Sequence, residues 1–124
     1  MTHPEALSLL ETFAAAWNAH DVEALLSCMT NDGIFYAAVG ASPGGAEHVG
    51  RDALRRAYGD IFVAFPDARW SDAKHFVAGD RAVTEWTFSG TRADGTAVTV
   101  RGCDVFVLRA GKIAVKDTFR KTIL

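Results

Sequence analysis

The sequence predicts an α+β fold, from three observations. Apolar residues recur at helical spacing through residues 4–29 and again through 51–65. From residue 68 onward the pattern changes to strands of about ten residues. Between those strands lie Gly79-Asp80, Ala93-Asp94-Gly95 and Ala110-Gly111, turns too short for anything but antiparallel pairing. With one strand between the second and third helices, the expected order is ααβαββββ. Helices grouped ahead of an antiparallel sheet make α+β, not α/β.

Each element has its own warrant. Thr2 caps the first helix, Pro4 is tolerated in its first turn, and Glu5 completes a capping box. Leu9, Leu10, Phe13 and Trp17 form its apolar face, and it should stop near Asn18-Ala19-His20. Asp21 is a good N-cap for a second, short helix whose stripe is Val22, Leu25, Leu26 and Met29. Asn31-Asp32-Gly33 reads as a turn, and Ile34 to Val39 as a short strand. Residues 40–50 are rich in glycine and read as a loop of the kind that rims a site. A third helix begins near Arg51-Asp52, buries Leu54, Tyr58, Ile61, Phe62 and Phe65, and ends at Pro66. Strands follow over Ala68 to Ala78, Arg81 to Thr91, Thr96 to Leu108 and Lys112 to Ile123.

A chain of 124 residues with 49% hydrophobic side chains fits one domain with one core, spanning 1–124. A formal charge of −2 gives no electrostatic footprint for nucleic acid or an anionic membrane. No apolar run approaches the roughly 20 residues that span a bilayer, and the N-terminus has no signal-peptide pattern. Cys28 and Cys103 fit neither a disulfide framework nor a zinc site, and free thiols suit a reducing, cytoplasmic setting. The four His residues, at 3, 20, 48 and 75, show no ligand spacing. No phosphate loop, GxSxG elbow or Cys–His pair occurs. No metal and no organic cofactor are expected.

Four stretches in order and spacing carry a family resemblance: FAAAWNAHDVEALLSCMTNDGIFY, GRDALRRAYGDIFVAFPDARW, GDRAVTEWTFSGTRADG and VRGCDVFVLRAGKIAVKD. The chain resembles the SnoaL-like, polyketide cyclase-like branch of the nuclear transport factor 2-like superfamily over nearly its whole length. The resemblance implies a cone: a curved antiparallel sheet wrapped around three helices, open to an apolar pocket. It also implies a homodimer through the sheet's outer face. The family holds isomerases, dehydratases, hydrolases and cyclases beside non-catalytic modules, so pocket residues decide the function.

Two carboxylates lie in otherwise apolar strands, Asp104 in GCDVF and Asp117 in AVKDTF. A bare charge is costly to bury, so each must be paired, protonated or put to use. By resemblance Asp104 falls on the oxyanion-hole aspartate of ketosteroid isomerases. Their tyrosine falls on Phe13 and their base on Ala37, which removes that mechanism. The Asp-Arg-Asp arrangement of limonene-epoxide hydrolase finds no match in AVTEWTF, and its other Asp lies close to Asp117. A SnoaL-type cyclase needs less, one carboxyl group beside an activated C–H in a dry pocket. Asp104 fits that need, as does Asp117 if its register turns it inward, with His75 as a partner.

Asp104, Asp117 and His75 are therefore the candidate catalytic residues. Trp17, Tyr36, His48, Phe62, Glu85, Trp86 and Phe106 are the candidate ligand-binding residues. Each has a structural alternative: an ion pair for Asp104, salt bridges to Lys116, Arg120 or Lys121 for Asp117, a plain strand histidine for His75, a solvated loop position for His48, solvent for Glu85, and simple core for the aromatics. The expected function is a cofactor-independent cyclase, isomerase or lyase acting on a hydrophobic, carbonyl-bearing small molecule. A non-catalytic ligand-binding or dimerisation module is the alternative, and a structural subunit a third. An enzyme should keep a polar acid/base cluster inside its cavity, whereas a binding module could leave the cavity wholly apolar.

Overall fold

A computed structural model describes residues 1–124. The elements are α1 (His3–Asn18), α2 (Val22–Ser27), β1 (Met29–Tyr36), β2 (Glu47–Val49), α3 (Arg51–Ala64), β3 (Arg69–Ala78), β4 (Arg81–Thr91), β5 (Ala97–Arg109) and β6 (Lys112–Arg120). Together they make three helices against one curved, six-stranded sheet of order β2-β1-β6-β5-β4-β3. No helix is long and apolar enough to cross a membrane.

The helix ends follow their sequence signals. Thr2 and Glu5 close the capping box of α1, and Asp21 accepts a hydrogen bond from the Ala24 N–H at the start of α2. Asn18 ties the end of α1 to β3, donating to the Trp70 carbonyl and accepting from the Trp70 N–H, both at 2.8 Å. His20, in the left-handed region at φ 55°, reaches the Ala68 carbonyl and stacks on Phe62.

Three departures concern β1 and its neighbours. The expected turn at Asn31-Asp32-Gly33 lies inside β1, which starts at Met29 and ends at Tyr36. The glycine-rich loop returns as β2 and pairs antiparallel with β1, so that a strand lies where only loop was expected. β3 to β6 pair antiparallel as the short turns require, but β1 lies parallel to β6. The sheet is therefore mixed. The turn rule governs consecutive strands, and β1 reaches β6 only after the rest of the chain has gone round.

The inner face of the sheet packs on the helices. The core joins Leu10, Phe13 and Trp17 of α1, Leu25 and Leu26 of α2, and Leu54 and Tyr58 of α3 to Phe35, Phe106 and Ile113 of the sheet. Burying side chains of this size contributes about 1.5–3 kcal/mol each. A smaller cluster, Ala68, Trp86, Phe88 and Val100, sits at the other end of β4 and β5. Between the two clusters the inner face is not filled, and that gap is the cavity.

Candidate functional site

Registry decides what the cavity contains. Thr84, Asp104 and Thr118 stand opposite one another on β4, β5 and β6, and Phe106 and Lys116 form the next inward-facing row. Side chains alternate between faces, so residues one position away point outward. One irregularity shifts that alternation. Val107 pairs with Val115 but Leu108 pairs with Ile113, which leaves Ala114 as an extra, unpaired residue in β6. Beyond this bulge, Lys116 and Thr118 face inward and Asp117 faces outward.

Asp104 and Lys116 are 6% and 5% exposed, and Lys116 Nζ lies 3.0 Å from Asp104 Oδ1. Thr118 bridges them, accepting from Lys116 at 2.7 Å and donating to Asp104 Oδ1 at 2.6 Å. The Trp86 indole N–H donates to Asp104 Oδ2 at 2.9 Å. Three donors thus converge on an acceptor with about four lone-pair positions, which leaves one free. Lys116 Nζ also sits over aromatic rings, 4.5 Å from the Phe35 centroid and 5.0 Å from that of Trp17. Removing one partner of such a pair would strand a buried charge, at a cost of about 3–5 kcal/mol.

Trp86 owes its place to a missing side chain. Gly102 lies opposite it on β5, and a Cβ there would stand 2.5 Å from the Trp86 ring and 2.5 Å from the Phe119 carbonyl oxygen. Only glycine lets the indole lie flat over β5 and reach Asp104. The charge of Asp104 is also felt beyond its bonds. Burial, followed by that charge, pushes the Tyr58 phenol well above its ordinary range, and Tyr58 donates to Met29 Sδ.

The cavity measures about 350 Å³, and 17 of its 24 lining residues are hydrophobic. Phe13, Trp17, Phe35, Trp70, Trp86, Phe88 and Phe106 supply aromatic walls, while Thr84, Asp104, Lys116 and Thr118 form a polar floor. Asp60, Arg120 and His48 also line it, and Asp60 and Arg120 are exposed. His48, on β2, stacks on Phe35 with centroids 5.6 Å apart. No group of three His, Cys, Asp or Glu side chains is placed to hold a metal ion.

The structure brings together Asp104, Trp17, His48, Trp86 and Phe106 of the residues selected from sequence. It separates the others. Asp117, Tyr36 and Glu85 lie on the sheet's outer face, so none of them lines the cavity; for Asp117 the Ala114 bulge is the reason. His75 faces inward, but it packs beside the cavity wall, with Nδ1 2.8 Å from Thr84 Oγ1. Burial holds its pKa below the ordinary value, against an opposing pull from Glu11. Phe62 packs behind the wall on Trp17, Trp70 and His20. The sequence reading passed over Lys116 as a pocket residue, treating it as a surface partner for Asp117. It also passed over Thr118, Thr84, Phe35 and Trp70. A lysine directly after the apolar run Ile113-Ala114-Val115 of a strand was the available signal for Lys116.

This cavity and fold define a class: small α+β cones with a pocket between helices and sheet. The chain belongs to the SnoaL-like domain family, whose model matches residues 10–116. A search of curated proteins found no match. Solved structures with the same fold include a candidate polyketide cyclase from Xanthomonas campestris, 19% identical, covering 94% of this chain and 90% of that one at a TM-score of 0.83. An NTF2-like protein of unknown function from Mesorhizobium loti is 29% identical, with 96% and 93% coverage and a TM-score of 0.77. A protein from Catenulispora acidiphila with a ketosteroid isomerase-like fold, solved in complex with trimethylamine, is 20% identical, with 94% and 85% coverage and a TM-score of 0.78.

Proposed function

We propose that this protein is a small enzyme that transfers a proton on a hydrophobic, carbonyl-bearing molecule without an organic cofactor, with Asp104 as the acid/base group. One observation carries the reading: a buried, ion-paired carboxylate on the floor of an otherwise apolar cavity. A group of this kind in a cleft is a functional candidate on physical grounds. Family membership supports the class of reaction but names no substrate.

The chemistry would run as follows. The free lone pair of Asp104 takes a proton from the carbon next to the carbonyl. The C–H electrons move into the carbonyl, whose oxygen becomes an enolate held by the Lys116 ammonium. Protonated Asp104 then returns the proton to another carbon, which is isomerisation. Alternatively the enolate carbon attacks a second carbonyl of the same molecule, and Asp104 protonates the new alkoxide, which is cyclisation. Both outcomes leave Asp104 and Lys116 as they began.

The test needs no knowledge of the natural substrate. In D2O the methyl protons of 2-acetonaphthone should exchange faster with the protein than in buffer, as read by proton NMR. Asp104→Asn should remove that acceleration, since positioned acid–base groups contribute about 10²–10⁴-fold. Buffer-level exchange across a panel of aryl ketones would favour the alternative, a binding module. Three donors fixed on Asp104 are the observation on that side, and by resemblance alone Phe13 and Ala37 fall where isomerases carry catalytic groups.

The homodimer belongs to the same proposal. Phe119 and Phe76 stand 53% and 54% exposed on the outer face, beside the half-buried Val83 and Val105. Sedimentation showing a monomer at micromolar concentration would count against it.

A further inference from the structure

The buried charges of the cavity cancel. Asp104 and Lys116 are the charged residues of its floor, one of each sign, 3.0 Å apart. The other two charged lining residues, Asp60 and Arg120, are exposed and also of opposite sign. A ligand that brought its own charge to the floor would lose its hydration and meet no net counter-charge.

The floor nevertheless keeps one hydrogen-bond donor. Lys116 carries three N–H groups, of which one goes to Asp104 and one to Thr118, leaving one over the aromatic wall. A buried donor left unsatisfied is costly, so this N–H is a place where a ligand acceptor gains.

We infer that the cavity selects neutral ligands bearing an acceptor oxygen, aromatic or conjugated ketones and their enols, over carboxylates. The Asp104–Lys116 pair presents a hydrogen-bond donor without net charge. This deepens the reading of the cavity as a substrate site and rests on it. Asp104 is then also the residue that sets charge selectivity. Its carboxylate cancels Lys116, and without it the same floor would attract anions.

Three probes of similar shape test this by equilibrium dialysis at pH 7: 2-acetonaphthone, 2-naphthoate and 2-ethylnaphthalene. With the unaltered protein the ketone should bind about tenfold or more tighter than the carboxylate, and tighter than the hydrocarbon. In Asp104→Asn the order should invert, naphthoate gaining about tenfold or more on the exposed charge of Lys116. Should Asp104→Asn fail to fold, the neutral variant Asp104→Asn/Lys116→Met decides, by binding ketone and hydrocarbon alike and the carboxylate least.

Naphthoate binding the unaltered protein as tightly as the ketone would overturn the inference. So would an unchanged order in Asp104→Asn, or an undiminished ketone preference in the neutral variant. No saturable binding of any probe at millimolar concentration would remove the cavity as a binding site, and the inference with it. Selective ketone binding without proton exchange would leave the inference standing and sink the catalytic reading alone.

Discussion

The two faces of the β5–β6 hairpin carry the same kind of residue and treat it in opposite ways. On the inner face Asp104 is buried, paired with Lys116 and held by Thr118 and Trp86. On the outer face Asp117 is half-buried, next to Val105 and Tyr36 in the sheet, and makes no ion pair. Desolvation and then the charge of Asp104 raise its pKa, while Lys116, facing the other way, only partly offsets them. One aspartate is a built site. The other is tolerated because solvent still reaches it. An acidic residue in an apolar strand is therefore not a site until its neighbours are known.

The largest expected effect breaks the inner face. Lys116→Met keeps the length and apolar stem of the side chain but leaves Asp104 buried without its cation. Urea denaturation should show a loss of about 3–5 kcal/mol. Adding Asp104→Asn should restore much of it, because a neutral amide needs no counter-ion; equal losses in the single and double variants would mean that the pair is uncoupled. A smaller effect should follow from crowding the wall. Gly102→Ala sets a methyl group against the Trp86 ring and the Phe119 carbonyl. The expected cost is about 1–3 kcal/mol, with a change in Trp86 fluorescence as the indole is displaced from Asp104.

The smallest effect lies on the outer face. The folded-state pKa of Asp117 is raised above its ordinary 3.8, so the folded protein binds that proton more tightly than the unfolded chain does. The charged form thus costs stability. The penalty is absent below the ordinary value, grows as pH rises through the raised one, and is complete above it. Asp117→Asn should therefore stabilise the protein slightly at pH 7, by less than ~1 kcal/mol for a solvent-accessible group. That gain should vanish in urea titrations as the pH falls below the ordinary carboxylate value. A loss of stability at pH 7 would show that Asp117 makes a favourable contact instead.

The outline of the fold was legible because each element is signalled locally. The capping box, the 3.6-residue stripe of Leu10, Phe13 and Trp17, and the short turns act over a few residues. The parallel pairing of β1 with β6 was not legible, since no local signal joins strands so far apart in the chain. Asp104 stood out as a polar residue in an apolar strand. Its partner did not, and the reason is one residue. A regular hairpin about Ala110-Gly111 would set Asp117 opposite Asp104, two like charges on one face. The bulge at Ala114 advances the register, puts Thr118 opposite Asp104 and turns Lys116 inward. Ile113 and Ala114, consecutive and both buried, are its mark in the structure. In the sequence they read as one more pair of strand residues.

The comparison between the two aspartates also gives the most direct test of the central claim. Deuterium exchange into 2-acetonaphthone should be followed by proton NMR with Asp104→Asn and Asp117→Asn side by side, each first shown to be folded. Protein-dependent exchange that survives in Asp117→Asn and disappears in Asp104→Asn would place the chemistry on the inner face. Exchange that persists in Asp104→Asn, or falls equally in both variants, would contradict the account.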